Sequence, residues 1–254
     1  MNIPGLVSIT FRNLSVEEVI ETCLKNNLKA IEWGADVHLI PGDIKQAEYV
    51  KELMDKNNLV TSSYGSYYRV GLDNEYSFED IIKTAAILKA KDIRVWAGRL
   101  GSKDADEDYF NNVVADSKRI ADLAFKANLR VSYEYHSKTL TDTPESALRL
   151  LKAVNNDNMK LFWQPAVDVE PEQRVKDIIK VKDYLTSVHT FAWQGIERED
   201  LANQISEWTA YINTLNETPT NEDRYFLLEF VKDDSLDQLA KDAKTLNELL
   251  YDII

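Results

Sequence analysis

The segment VSYEYH, residues 131–136, carries a carboxylate where a buried strand is expected. Side chains alternate between the two faces of an extended strand, so Glu134 shares one face with Ser132 and His136. A carboxylate on the inner face of a buried strand is removed from water, so it must be stabilised by a cation or a hydrogen-bond donor, or it must be protonated. This need makes Glu134 the first candidate for a functional group.

The same anomaly recurs in the next three strand-like segments. Gln164 ends the segment MKLFWQ, His189 lies within LTSVHTF, and Glu229 lies near the end of YFLLEF. With a period of two, Glu229 falls on the face opposite the apolar side chains of Leu228 and Phe230. Four neighbouring strands therefore each deliver one oxygen or nitrogen ligand near their C-terminal ends.

The elements that position these residues alternate between two patterns. Short β-rich runs are separated by amphipathic stretches whose apolar residues recur at every third or fourth position, which predicts helices. Helix starts are marked by Ser15 with Glu18 and by Ser235 with Gln238, which fit the capping box, and by Thr143 before a proline. The eight predicted strands are residues 6–11, 29–33, 59–64, 92–97, 129–135, 159–164, 185–191 and 225–230.

Eight strands that each precede a helix, without a linker rich in Pro, Gly or Ser, predict an α/β fold. We expect one (β/α)8 TIM barrel formed by a single domain, residues 1–254, with its active site at the C-terminal ends of the strands. The rival architecture is an open doubly wound sheet, but no strand precedes a GxGxxG or GxxxxGK[ST] phosphate loop. The connection 193–224 is longer and carries its own helical stretch, which predicts an extended insertion between strands seven and eight that forms a lid or a subunit contact.

Composition narrows the classes of partner. The formal net charge is -13, with 43 acidic against 30 basic residues, and no block of Lys or Arg could follow a phosphate backbone, so nucleic acid is excluded as a partner. The single cysteine, Cys23, falls in the apolar stripe of a predicted helix and is interpreted as a core residue. No stretch approaches the ~18 apolar residues that span a bilayer, and the N-terminus lacks a signal-peptide pattern, so we expect a soluble cytoplasmic protein with no membrane partner.

Three segments carry a resemblance to a known family. SITFRNLSVEEVIETCLKNNLKAIEWGADVHLIPGD, EYHSKTLTDTPESALRLL and WQPAVD resemble the sugar phosphate isomerase/epimerase family of xylose isomerase-like barrels, and the likeness runs over essentially the whole chain. The resemblance implies a small carbohydrate substrate and a homo-oligomer.

The resemblance also implies one divalent cation, Mn²⁺, Mg²⁺, Co²⁺ or Zn²⁺, bound by one residue from each of strands five to eight. The matching positions here are Glu134, Gln164, His189 and Glu229. Gln164 is a neutral amide where the family has a carboxylate. Its oxygen can still bind a hard cation, but the ligand set carries two negative charges instead of three, so we expect weaker binding and lower occupancy.

A cation with open coordination positions could hold adjacent carbonyl and hydroxyl oxygens of a sugar and stabilise an enediolate. By resemblance to ketose epimerases, Glu134 and Glu229 would flank the substrate, one removing the proton next to the carbonyl and the other returning it on the opposite face. The predicted activity is that of a sugar or sugar phosphate isomerase/epimerase. Two alternatives remain open: a degenerate or non-enzymatic sugar-binding barrel, which Gln164 favours, and a dehydratase of a cyclic polyol such as an inosose.

The candidate ligands also have structural explanations. Glu134 and Glu229 could each form a buried salt bridge, and His189 and Gln164 could be hydrogen-bonded core residues.

Residues next to the predicted strand ends are candidates for substrate binding: Glu32, His38, Arg99, His136, Trp193 and Lys232. Glu32 could instead pair with Arg99, and Lys232 could meet a phosphate. Aromatic rings could stack on a sugar, although Trp33 and Trp163 share the outward phase of their strands and are expected to pack against helices.

Overall fold

The computed structural model describes residues 1–217 and 222–251. Eight parallel strands close into a barrel, which confirms the predicted fold class. Each strand pairs with the next along the chain, and the eighth pairs with the first, where Gly5 lies opposite Leu227. The strands are β1 (Asn2–Val7), β2 (Ala30–Gly34), β3 (Val60–Arg69), β4 (Asp92–Trp96), β5 (Arg130–Glu134), β6 (Met159–Trp163), β7 (Leu185–Thr190) and β8 (Arg224–Leu228).

The amphipathic stretches form helices between the strands, and their N-termini are capped largely as predicted. Ser15 and Glu18 form a complete capping box. Thr143 accepts a hydrogen bond from the Ser146 amide, ahead of a proline in the first turn. The helices are α1 (Val16–Lys25), α2 (Ile44–Lys56), α3 (Phe78–Ile87), α4 (Glu107–Lys126), α5 (Pro144–Val154), α6 (Pro171–Val181), α7 (Ile205–Asn216) and α8 (Leu236–Tyr251).

The first strand lies earlier in the chain than the sequence predicts. The prediction of a strand over 6–11 is wrong, because β1 covers Asn2–Val7 and a 3-10 helix follows over Ser8–Phe11. Pro4 and Gly5 resemble strand breakers, yet the lack of a side chain at Gly5 is what allows close pairing, since a Cβ there would lie 2.5 Å from the Ala30 carbonyl oxygen. Ser8, which directly follows β1, accepts a hydrogen bond from the Gly34 amide at 3.0 Å.

The long connection between β7 and β8 carries extra structure before its helix. A two-stranded antiparallel hairpin pairs Trp193 with Arg198, and a 3-10 helix over Leu201–Gln204 leads into α7. The aromatic rings of Trp208 and Tyr211 in α7 pack against Trp163, which confirms that Trp163 faces a helix. Residues 218–221 of this connection lie outside the described residues, and the role of the segment as a lid or subunit contact stays a prediction.

The barrel interior changes from apolar to charged towards its C-terminal end. Strand register places Leu227 beside His189 and Phe162 beside Glu134, so apolar and titratable side chains share the inner face. Cys23 is fully buried between helix and barrel, as predicted. Among the helices of the described segments, none has the length and apolar character needed to cross a lipid bilayer.

Candidate active site

Three titratable side chains converge at the C-terminal end of the barrel. Glu134 is the last residue of β5, His189 lies in β7, and Glu229 directly follows β8. One ligand atom from each lies within 4.8 Å of the other two, and all three residues are buried. The Glu229 amide donates a hydrogen bond to the Thr190 carbonyl oxygen at 3.0 Å, so the backbone holds Glu229 against the end of β7.

His189 is the centre of this cluster. Its Nδ1 atom lies 3.1 Å from Gln164 Oε1, 3.4 Å from Glu229 Oε2 and 3.8 Å from Glu134 Oε1. The other ring nitrogen, Nε2, lies 3.5 Å from Glu32 Oε2. Burial alone would lower the pKa of His189, yet the carboxylates of Glu229, Glu32 and Glu134 stabilise the imidazolium and raise it to about 9.

Glu134 is also part of a buried ion pair, the structural alternative that the sequence left open. Arg94 in β4 donates from Nη1 to Glu134 Oε2, and the Trp96 indole N–H donates to the same oxygen. Burial opposes ionisation of Glu134, but Arg94 and His189 outweigh it and lower the pKa of this carboxyl. Glu134 therefore has one oxygen engaged by two donors and the other, Oε1, turned towards His189.

The second carboxylate has a different environment. Within the part of the chain that the structure describes, no Arg or Lys forms an ion pair with Glu229, whose ion-pair partner is His189. Burial raises the pKa of Glu229, the charges of His189 and Arg94 oppose this, and the nearby carboxylates of Glu134 and Glu32 raise it further. Two carboxyl groups whose pKa values shift in opposite directions are suited to different roles.

A cavity of about 620 Å³ opens above the cluster. Its lining includes Glu134, Gln164 and Glu229, together with two of the residues predicted to bind substrate, His136 and Trp193. His189 and Glu32 lie beneath this lining, at 1 % and 0 % exposure. The cavity therefore has room for a small polar molecule directly over the converging side chains.

His136 and Trp193 differ in how they are held. The His136 ring stacks on Trp96 with centroids 5.3 Å apart and an interplanar angle of 22°. Trp193 begins the hairpin and packs at a tilt against Phe191, with centroids 5.4 Å apart. Both rings present an edge or face to the cavity, where they could contact a ligand.

Two other residues predicted to bind substrate, His38 and Lys232, do not line the cavity. His38 is 6 % exposed and places Nε2 3.1 Å from the Leu14 carbonyl oxygen, with its ring edge against Trp33. Lys232 pairs with Asp200 at 3.2 Å instead of facing a phosphate site.

Glu32 pairs with Arg94 and not with Arg99, so that predicted pair is wrong. Arg94 Nε donates to Glu32 Oε1 at 2.7 Å. Arg99 is exposed beyond the end of β4, where its backbone amide bonds to the Tyr109 hydroxyl. Inward-pointing residues of nearby strands meet inside the barrel, whereas a residue in the following connection is directed elsewhere.

Arg94 and Trp96 are the site residues that sequence reasoning missed. In the segment DIRVW they alternate with Ile93 and Val95, so both fall on the face that points into the barrel. The period of two that identifies Glu134 also identifies Arg94. A guanidinium is a cation and is not a metal ligand. A search for oxygen and nitrogen ligands of a metal therefore does not identify Arg94.

The donor set fits a divalent metal ion. Carboxylate oxygens, an amide oxygen and one imidazole are ligands that Mn²⁺, Co²⁺ and Zn²⁺ accept. Within the buried cluster, Glu32, Glu134 and Glu229 carry three negative charges and Arg94 carries one positive charge, so the net is -2 when His189 is neutral. A single divalent cation would balance this charge.

Comparison with known proteins identifies the family of this chain. The family model described as xylose isomerase-like TIM barrel matches residues 20–166. The chain belongs to this family. A curated protein similar to this chain is the 3-dehydroshikimate dehydratase of Bacillus anthracis, which is 26% identical over 179 residues. The aligned region covers 65% of this chain and 64% of that protein, which is less than two thirds of the relative's length.

Several solved structures share the fold over nearly the whole chain. The probable 3-DHS dehydratase AsbF of Bacillus anthracis superposes with a TM-score of 0.79 at 19% identity, covering 97% of this chain and 99% of that one. IolI with a bound zinc atom gives 0.74 at 14% identity, covering 99% of both chains. An L-ribulose 3-epimerase gives 0.74 at 15% identity, covering 98% of this chain and 94% of that one.

Proposed function

We propose that this protein is a divalent-metal-dependent enzyme that removes a proton next to a carbonyl group of a small polyhydroxylated substrate, as sugar isomerases and epimerases do. The observation that supports this most strongly is the convergence of Glu134, His189 and Glu229 within 4.8 Å at the floor of a cavity of about 620 Å³. These three residues would bind the cation, with the amide oxygen of Gln164 as a fourth ligand.

The metal ion and the protein side chains would have different roles in the reaction. A bound divalent cation would polarise the carbonyl oxygen and stabilise the negative charge that develops on it. Glu134 is fixed by Arg94 and Trp96, which suits a ligand that keeps its charge and position. Glu229 lines the cavity without an Arg or Lys partner among the described residues, which suits a group that exchanges a proton with substrate.

The proposed reaction begins at the carbon next to the carbonyl. The Glu229 carboxylate accepts the proton from that carbon, and the electron pair of the C–H bond forms the enediolate. In an isomerase, the Glu229 carboxylic acid then returns the proton to the former carbonyl carbon while the hydroxyl proton moves between the two oxygens; in an epimerase, a second carboxylic acid protonates the opposite face of the same carbon. Lys232 pairs with Asp200 away from the cavity, so it does not support a phosphorylated substrate.

Dehydration is the second candidate, and two observations favour it. The Bacillus anthracis relative is a 3-dehydroshikimate dehydratase. In this chain Glu134 is held by two donors on one oxygen, so it is poorly placed to act as a second proton carrier. In a dehydratase, the enediolate electrons form the C=C bond, the β C–O bond breaks, and the hydroxyl group leaves as water with the proton that Glu229 took up.

A single exchange experiment tests the proposal and separates the two reactions. The purified protein is loaded with Mn²⁺ and incubated in D₂O with a panel of ketoses, sugar phosphates and cyclic hydroxyketones. We expect deuterium next to the carbonyl of at least one compound, with either an epimer or isomer as product or the loss of one water. Sugar binding without any exchange or product would contradict the enzyme proposal and favour a non-enzymatic sugar-binding barrel.

A further inference from the structure

Beneath the cavity lies a buried ion pair between β2 and β4. Arg94 Nε donates to Glu32 Oε1 at 2.7 Å, and the two side chains are 2 % and 0 % exposed. Removing two charges from water is expensive, and buried pairs of this kind are often no more stabilising than apolar residues of similar volume. A role in the site above explains the pair better than stability does.

The remaining atoms of this pair reach two of the candidate ligands. Glu32 Oε2 lies 3.5 Å from His189 Nε2, and the Ser63 hydroxyl donates to the same oxygen at 2.6 Å. Arg94 Nη1 donates to Glu134 Oε2. Each contact is made on the side of His189 or Glu134 that faces away from the point between the three candidate ligands.

These contacts select which ligand atoms face that point. An imidazole that donates Nε2–H to a carboxylate keeps its lone pair on Nδ1, the atom turned towards Gln164 and Glu229. In the same way, engaging Oε2 of Glu134 leaves Oε1 free to face Nδ1 of His189 at 3.8 Å. One chain of contacts therefore orients both ligands.

The neighbouring strand leaves space for this pair. A Cβ atom on Gly65 in β3 would lie 2.7 Å from Arg94 Nη2 and 3.0 Å from Glu32 Oε1. A side chain at position 65 would therefore force the Arg94 guanidinium or the backbone of β3 to shift. Gly65 therefore leaves room for the ion pair in its observed geometry.

We propose that Glu32, anchored by Arg94 and Ser63, is a positioning residue that presents His189 Nδ1 to a divalent cation, instead of a residue that binds substrate. The inference rests on the metal dependence in the proposed function. It replaces the role that the sequence predicted for Glu32.

The test compares Mn²⁺ affinity with the stability of the metal-free protein. For Glu32→Gln we expect the dissociation constant for Mn²⁺, measured by calorimetry, to rise about 10–100-fold, the usual effect of losing an orienting partner of a ligand. The matched control is Asp92→Asn, which breaks another buried carboxylate–guanidinium pair, with Arg130 at 2.7 Å. It is expected to lower the melting temperature while leaving the dissociation constant within about threefold.

The outcomes separate the inference from the proposed function. If wild-type protein binds Mn²⁺ and Glu32→Gln binds it equally well, the positioning role is overturned and the metal site stands. If wild-type protein binds no Mn²⁺, the metal dependence fails and the positioning role fails with it. If Glu32→Gln does not fold, Ser63→Ala decides, because it removes the 2.6 Å hydrogen bond to Glu32 and otherwise loses a 3.4 Å contact with the Ser62 hydroxyl; we expect a severalfold weaker Mn²⁺ affinity, and an unchanged affinity overturns the role.

Discussion

The Nδ1 atom of His189 in β7 lies 3.4 Å from Oε2 of Glu229, which directly follows the adjacent strand β8. Glu134 and Gln164 place further oxygens around the same nitrogen. A proton on Nδ1 would donate a hydrogen bond to Gln164 Oε1 and place positive charge beside both carboxylates. A divalent cation would replace that proton, so metal binding and protonation of His189 should compete.

Glu229→Gln should abolish proton exchange with substrate. The amide keeps the size of the side chain but cannot accept a proton, so we expect the rate of deuterium incorporation to fall about 100-fold or more. The control is Glu197→Gln, an exposed residue of the hairpin after β7, which should retain the wild-type rate. Undiminished exchange in Glu229→Gln would assign the base to another residue.

Gln164→Asp should strengthen metal binding. It adds a carboxylate 25 residues before His189, at the position whose oxygen already lies 3.1 Å from Nδ1. We expect Mn²⁺ to bind on the order of tenfold more tightly. The metal-free protein should melt at a lower temperature, because a further buried negative charge lies beside Glu134 and Glu229.

Gln194→Glu provides the control for this change, since it adds the same charge on the exposed hairpin. It should leave both the Mn²⁺ affinity and the melting temperature close to the wild-type values. Equal affinity in Gln164→Asp and wild-type protein would show that position 164 is not a ligand.

The pKa of His189 predicts how the stability of the metal-free protein depends on pH. Burial would lower this pKa, but Glu229, Glu32 and Glu134 raise it from 6.5 to about 9. A group with a higher pKa in the folded state stabilises the fold fully below its unfolded pKa, and that contribution is lost as the pH rises through the folded pKa. The contribution of His189 should therefore be complete below pH 6.5 and disappear as the pH passes about 9.

Urea unfolding in the presence of a chelator measures this effect. The upper limit for the contribution is roughly 3 kcal/mol. Between the two pH values, the free energy of unfolding should fall more steeply for wild-type protein than for His189→Asn, which cannot titrate. Parallel pH profiles for the two proteins would mean that His189 is not charged in the folded state.

The sequence alone predicts the closed barrel and much of the candidate site, for physical reasons. Alternation along a strand is a strong local signal, and it identifies Glu134 as an inward residue before any contact is known. Helix caps such as Ser15 with Glu18 are equally local. These features depend only on neighbours along the chain.

The sequence alone does not predict which side chains from distant segments form ion pairs. Arg94 meets Glu134 across 40 residues, and Lys232 meets Asp200 across 32. The sequence contains several Arg and Lys residues that could pair with each carboxylate. Which of them lies close enough depends on strand register and on the connections between the strands. Gly5 shows a related limit, because its use in close strand pairing becomes apparent only when the Ala30 carbonyl is in place.

The central claim is that Glu134, His189 and Glu229 together bind a divalent cation. Anomalous diffraction from a crystal soaked in Mn²⁺ tests it most directly. The account predicts a single strong peak about 2–2.6 Å from Glu134 Oε1, His189 Nδ1 and a Glu229 carboxylate oxygen. A peak at another location, or none at these residues when Mn²⁺ saturates the protein in solution, would contradict it.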